Sequence, residues 1–148
     1  MGVDLSRNYD YMWGLDDQGS SPDICSDRYR GPHAFSEPET QAISEFLTHY
    51  HNIKVALNMC SFGNNMNVPY NYDDQFNNDL KESHSHLYEY FLKLKRAAPT
   101  GVNFGNSARN TGHPINGEVS DYMLMKHGII ALSPELGNSD IKTNTYYI

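Results

Sequence analysis

The stretch from Ser36 to Leu57 constrains the fold more than any other part of the chain, because a helix signal runs almost directly into a strand signal. Ser36, with Glu39 three residues on, has the form of a helix N-cap answered by a carboxylate in the first turn. Pro38 is tolerated in that turn, where an N–H would have no partner anyway. Ile43, Phe46, Leu47 and Tyr50 then recur at helical spacing, and Asn52 offers a stop. Ile53 to Leu57 reads as a short strand. A chain that passes from helix to strand so abruptly has to lay the helix against a sheet.

The same alternation returns downstream. Gly63, Asn64 and Asn65 read as a loop. Asp73 or Asp74 opens a longer helix whose apolar stripe runs through Phe76, Leu80, Leu87, Phe91 and Leu94 and closes at Pro99. Thr100 to Pro114 reads as a Gly- and Asn-rich loop. Ser120 is expected to cap a short helix through Lys126, with Gly128 ending it, and Ile129 to Leu132 is an apolar run typical of a buried strand. These segments give the α/β class, with a mixed, mostly parallel sheet and flanking helices. With no internal repeat and no long linker, residues 1–148 read as a single unit.

Charge and cysteine content exclude some roles. A net charge of −7 argues against nucleic acid or an anionic membrane surface as partner, since both select basic patches. No apolar run approaches the roughly 20 residues of a membrane span. Cys25 and Cys60 are too few for a disulfide framework. His86 and Glu89 spell His-x-x-Glu, which on a helix shares one face, and the pattern reads as a solvated polar face. His84 and His86, like His49 and His51, lie about 200° apart around a helix and cannot chelate one ion together. His33 and His127 read as surface or loop residues.

Several strings in fixed order carry a family likeness. Gly2-Val3-Asp4-Leu5-Ser6-Arg7-Asn8 resembles the Gly-Val-Asp-x-Asn-Arg-Asn stretch of zinc carboxypeptidases of the carboxypeptidase A type, with Ser6 in place of the first asparagine. Ser20 to Pro32 is similar to the loop that follows it in that family, and Phe35-Ser36-Glu37-Pro38-Glu39-Thr40 to its next helix start. Ile53 to Tyr70 occupies the place of the strand and loop that carry the third zinc ligand. Gly117-Glu118-Val119-Ser120-Asp121-Tyr122 resembles Gly-x-x-x-Asp-Trp, and Ile129 to Gly137 the closing strand.

The resemblance implies a set of roles. Arg7, with Ser6 beside it, grips the free carboxylate of the substrate, a task suited to a planar fork of donors. Glu135 takes a proton from water and passes it to the leaving amine. Cys60 stands where the third zinc ligand, a histidine, belongs. A thiolate there can bind zinc but lowers the acidity of metal-bound water, while the plainer alternative is a small buried residue in a site without metal. His113 stands where a mobile tyrosine covers the substrate. Zinc is the implied cofactor and a peptide or protein C-terminus the implied partner.

The likeness further implies a partial catalytic domain, its central to C-terminal portion, because the family's first two zinc ligands lie in a His-x-x-Glu motif upstream of the clamp. Cys25 then corresponds to a cysteine whose disulfide partner also lies upstream. Two functions remain open: zinc-dependent hydrolysis of C-terminal residues, with the isolated chain inactive, or a degenerate relative that binds peptide C-termini or a protein partner. The family is mostly secreted or lysosome-like, and the compartment stays open.

Overall fold

A computed structural model of the chain describes residues 2–73, 81–82 and 85–137. Strand β5 (Ile130–Leu136) is the axis of the fold. On one side β1 (Val55–Leu57) runs parallel to it, with Val55 opposite Ile130 and Leu57 opposite Leu132. The same segment resumes as β2 (Cys60–Ser61), again parallel, with Cys60 opposite Glu135. On the other side β3 (Asn65–Asn67) is antiparallel to β5, and β4 (Asn103–Gly105) is parallel to β3. The order is β1-β5-β3-β4, a mixed and mostly parallel sheet.

Helices close the sheet on both faces: α1 (Pro38–His49), α2 (Ser85–Ala97), the short α3 (Ser107–Thr111) and α4 (Val119–His127). Successive residues of a strand point to opposite faces. Ala131 packs with Tyr9, Leu47 of α1, Tyr122 and Ile129, whereas Leu132 packs with Val68, Tyr70, Phe91 of α2 and Leu124. Burial on both faces explains why β5 reads as an unbroken apolar run rather than an alternation. Leu87 and Leu94 extend the α2 stripe against the second cluster, while Phe76 and Leu80 and the expected helix start at Asp73 or Asp74 lie outside the described helix. His86 and Glu89 are exposed on α2, and none of the described helices is long and apolar enough to cross a membrane.

Four local expectations are corrected. Ser36 does not cap α1. Glu37 holds that position without a side-chain cap, and Asn8 does the work from a distance. Asn8 Oδ1 accepts from the Glu37 N–H (3.3 Å) and Thr40 Oγ1 (2.7 Å), and Asn8 Nδ2 donates to Ser36 Oγ (2.9 Å). Ser120 does not cap α4 either. The cap is Glu118, whose carboxylate accepts from the Ser120 and Asp121 N–H groups. The span from Thr100 to Pro114 is no mere loop, since it contains β4 and α3. Its asparagines act as partners: Asn106 Oδ1 caps α3 through the Arg109 N–H (3.0 Å). His127 is no free surface residue, because it is half-buried with Nε2 at 3.0 Å from the Tyr122 hydroxyl.

Candidate functional site

Arg7 is held before any ligand arrives. Asp4 caps the 3-10 turn Leu5–Arg7 by accepting from the Ser6 N–H (3.0 Å), and its other oxygen accepts from Arg7 Nε (2.8 Å). Arg7 Nη1 donates to the Gly19 carbonyl. These bonds occupy two of the five guanidinium donors, and the side chain lines a cavity. Burial pulls the Arg7 pKa down from its ordinary value, and the charge of Asp4 opposes this. The hydroxyl of Ser6 donates to Asp4 Oδ1 (2.6 Å), so Ser6 supports Asp4, the partner of Arg7, rather than offering that proton to a ligand.

Glu135 lies near the end of β5 and is also restrained. Asn65 Nδ2 donates to Glu135 Oε2 (2.7 Å) and Asn67 Nδ2 to Oε1 (3.1 Å). The two asparagines stand two apart on β3, so they share a face. Their amides are oriented in turn: Asn103 Nδ2 donates to Asn65 Oδ1 (3.0 Å) and Asn110 Nδ2 to Asn67 Oδ1 (2.8 Å). With each amide oxygen already receiving a proton, the nitrogens are directed at the carboxylate. Gly63 makes room, since a Cβ there would fall 2.2 Å from Glu135 Oε2. Sequence reasoning missed Asn65 and Asn67. Gly63 to Asn65 reads as a loop, and no local signal marks the short strand Asn65–Asn67.

Arg7 and Glu135, from the first and last described elements, line one cavity of about 470 Å³ together with Arg28, Asp27, Ile115 and His113. Cys60 does not line it, although it is the strand partner of Glu135. Burial first, and then the charges of Glu118 and Glu135, push the Cys60 thiol up, and Asn58 Nδ2 lies 3.5 Å from its sulfur. Among the described residues no three His, Cys, Asp or Glu side chains converge. A zinc site needs three or four such donors, so the described residues do not by themselves accommodate that ion.

The start of α4 holds a buried acidic pair, Glu118 and Asp121. Glu118 accepts from Ser133 Oγ (2.6 Å), from the Ser120 hydroxyl and from Asn71 Nδ2 (3.2 Å). Asp121 accepts from the Asn71 N–H (2.7 Å) and Nδ2 (3.1 Å). Desolvation, then the neighbouring Glu118, raise Asp121 well above the usual carboxylate range. The folded state thus keeps a proton that the unfolded chain gives up near pH 4, and stability falls as pH climbs through the folded value. Asp121→Asn is expected to flatten the decline in stability above pH 4, measured by urea unfolding at several pH values. An undiminished slope would show that another group causes it. Tyr9, pushed up to about 12 chiefly by burial, acts only in strongly alkaline solution.

Residues 1–147 match the family described as zinc carboxypeptidase, and the chain belongs to that family. It is 33% identical over 126 residues to carboxypeptidase B of Helicoverpa zea, a match covering 82% of this chain and 29% of that protein. To mast cell carboxypeptidase A of Mus musculus it is 36% identical over 116 residues, covering 78% and 25% respectively. Its fold matches bovine thrombin-activatable fibrinolysis inhibitor, solved in complex with tick carboxypeptidase inhibitor, at a TM-score of 0.71 and 24% identity over 95% of this chain and 47% of that one. Carboxypeptidase A from Helicoverpa armigera gives 0.68 at 24% identity, covering 100% and 35%. The chain therefore spans less than a third of the length of these curated relatives.

Proposed function

We propose that this chain forms the carboxylate-binding and proton-accepting part of a zinc carboxypeptidase site, and that a complete site of this kind releases C-terminal residues from peptides. The observation that supports this reading is the meeting of Arg7 and Glu135 in one cavity. Arg7 binds the terminal carboxylate with the donors that Asp4 and Gly19 leave over, a charge-assisted pair strengthened by its buried setting. Glu135 accepts a proton from water and returns it to the departing amine. Ser6 keeps Asp4, and through it Arg7, in position. His113, exposed and lining the cavity, offers a ring nitrogen to the bound peptide, and Cys60 stands in the neighbouring strand outside any group of three His, Cys, Asp or Glu among the described residues.

General-base help alone is worth about 10²–10⁴-fold, far below the ~10⁶-fold or more of a working enzyme. The chain by itself is therefore a binder of peptide C-termini. A second reading, a degenerate relative that only binds, draws support from one observation: both oxygens of Glu135 are engaged by asparagines.

Calorimetric titration tests the reading, using one short peptide as its free acid and as its C-terminal amide. The free acid is expected to bind at least about tenfold more tightly, with no residue released. Equal affinity for acid and amide would remove the carboxylate clamp from the account. Release of the C-terminal residue, abolished by Glu135→Gln, would show that this chain completes the site unaided.

A further inference from the structure

We infer that Arg28 is a specificity-determining residue of this cleft, a second guanidinium that receives the side-chain carboxylate of a C-terminal Asp or Glu while Arg7 holds the main-chain carboxylate. The inference rests on the reading of the cleft as a site for peptide C-termini.

Arg28 and Arg7 hang from adjacent carbonyls of one turn. Arg28 Nη1 donates to the Gln18 carbonyl (3.3 Å), and Arg7 Nη1 donates to the Gly19 carbonyl. Both side chains line the same cavity, and the charge of Arg28 contributes to the lowered pKa of Arg7. The backbone that carries Arg28 is fixed. Ser21 and Tyr29 form a parallel bridge, the Ser21 N–H donates to the Arg28 carbonyl (2.8 Å), and the Arg28 N–H donates to Ser26 Oγ (3.1 Å).

Two guanidiniums that line one cavity repel each other, and an anion bound between them relieves that repulsion. One carboxylate satisfies one fork; a terminal dicarboxylic residue offers two, separated by only two or three carbons. The cavity of about 470 Å³ lies within the size range of small-ligand sites. Its lining is poorly suited to a large apolar side chain, because Ile115 is its one aliphatic member among the described residues. Two acids share the lining. Glu135 is tied to Asn65 and Asn67, and Asp27 is exposed, where water screens its charge.

The test is calorimetric titration of the whole chain with two acetylated tetrapeptides that differ only in ending with Glu or Gln, each also as its C-terminal amide. The Glu peptide is expected to bind roughly tenfold more tightly than the Gln peptide. Arg28→Gln should bring its affinity down to that of the Gln peptide, Arg28→Lys should keep part of the preference, and Asp27→Asn should widen it. Equal binding of the Glu and Gln acids, with acids still preferred over amides, would overturn the role of Arg28 and leave the carboxylate clamp standing. Loss of the acid-over-amide preference would overturn the clamp and this inference together. If Arg28→Gln weakened both acids by the same factor, Arg28 would be a prop for the turn rather than a determinant of specificity.

Discussion

An Arg7→Gln chain is expected to bind a peptide C-terminal carboxylate about 100-fold more weakly than the native chain, and to unfold at a lower temperature. The affinity change follows from removing one partner of a desolvated charge pair, which costs about 2–5 kcal/mol, with each 1.4 kcal/mol worth tenfold. The stability change comes from Asp4, which loses its cation while remaining three-quarters covered. Breaking a fully buried pair costs about 3–5 kcal/mol, and Asp4 keeps the two donors of Ser6, so about 2 kcal/mol is expected here. That corresponds to a fall in Tm of roughly 4–8 °C. Calorimetry measures the first effect and circular dichroism the second. Arg7→Lys should retain more binding than Arg7→Gln and less than the native chain, since it keeps the charge and loses the fork.

Gly117→Ala should be the most destabilising small substitution in the site. Gly117 sits at φ +72°, where an L side chain is strained, and an added Cβ would come 2.6 Å from the Arg7 carbonyl oxygen and 2.9 Å from that of Tyr9. Both obstacles are backbone and cannot swing aside. The left-handed conformation costs about 1–2 kcal/mol and the overpacking about 1–3 more, so a loss near 3 kcal/mol and a fall in Tm of roughly 10 °C are expected. The Tyr9 N–H also donates to the Gly117 carbonyl (3.0 Å), so relief of the clash displaces the segment that carries Arg7. Carboxylate binding should fall together with stability. A Gly117→Ala chain with native Tm would show that the contact between these two loops is not a constraint.

Much of the fold is legible in the chain because its signals are local. The apolar run at Ile129 to Leu132 marks the central strand, and the stripe of Leu87, Phe91 and Leu94 marks the helix that covers one face. The errors come where a partner lies far away in sequence. Ser36 looks like a cap, yet its helix is capped across 29 residues by Asn8, and no local pattern reports that contact. The loop reading of residues 100–114 failed because β4 is a three-residue strand held by pairing with β3 rather than by its own propensity. Arg7, Glu135 and His113, singled out through motif order, line one cavity, whereas Cys60, singled out in the same way, does not. The asparagines that grip Glu135 were beyond reach, because their role depends on an antiparallel register between segments about 70 residues apart.

The central claim is that Arg7 and Glu135 belong to one site for a peptide C-terminus. Nuclear magnetic resonance tests it most directly, by following the Arg7 side-chain N–H and the Glu135 side-chain carbonyl carbon during titration with an acetylated peptide bearing a free C-terminus. Both signals are expected to move along a single binding curve, and the corresponding amide should need at least about tenfold more peptide to move them as far. Movement of the Arg7 signal with Glu135 unchanged at saturation, or identical responses to acid and amide, would contradict the account.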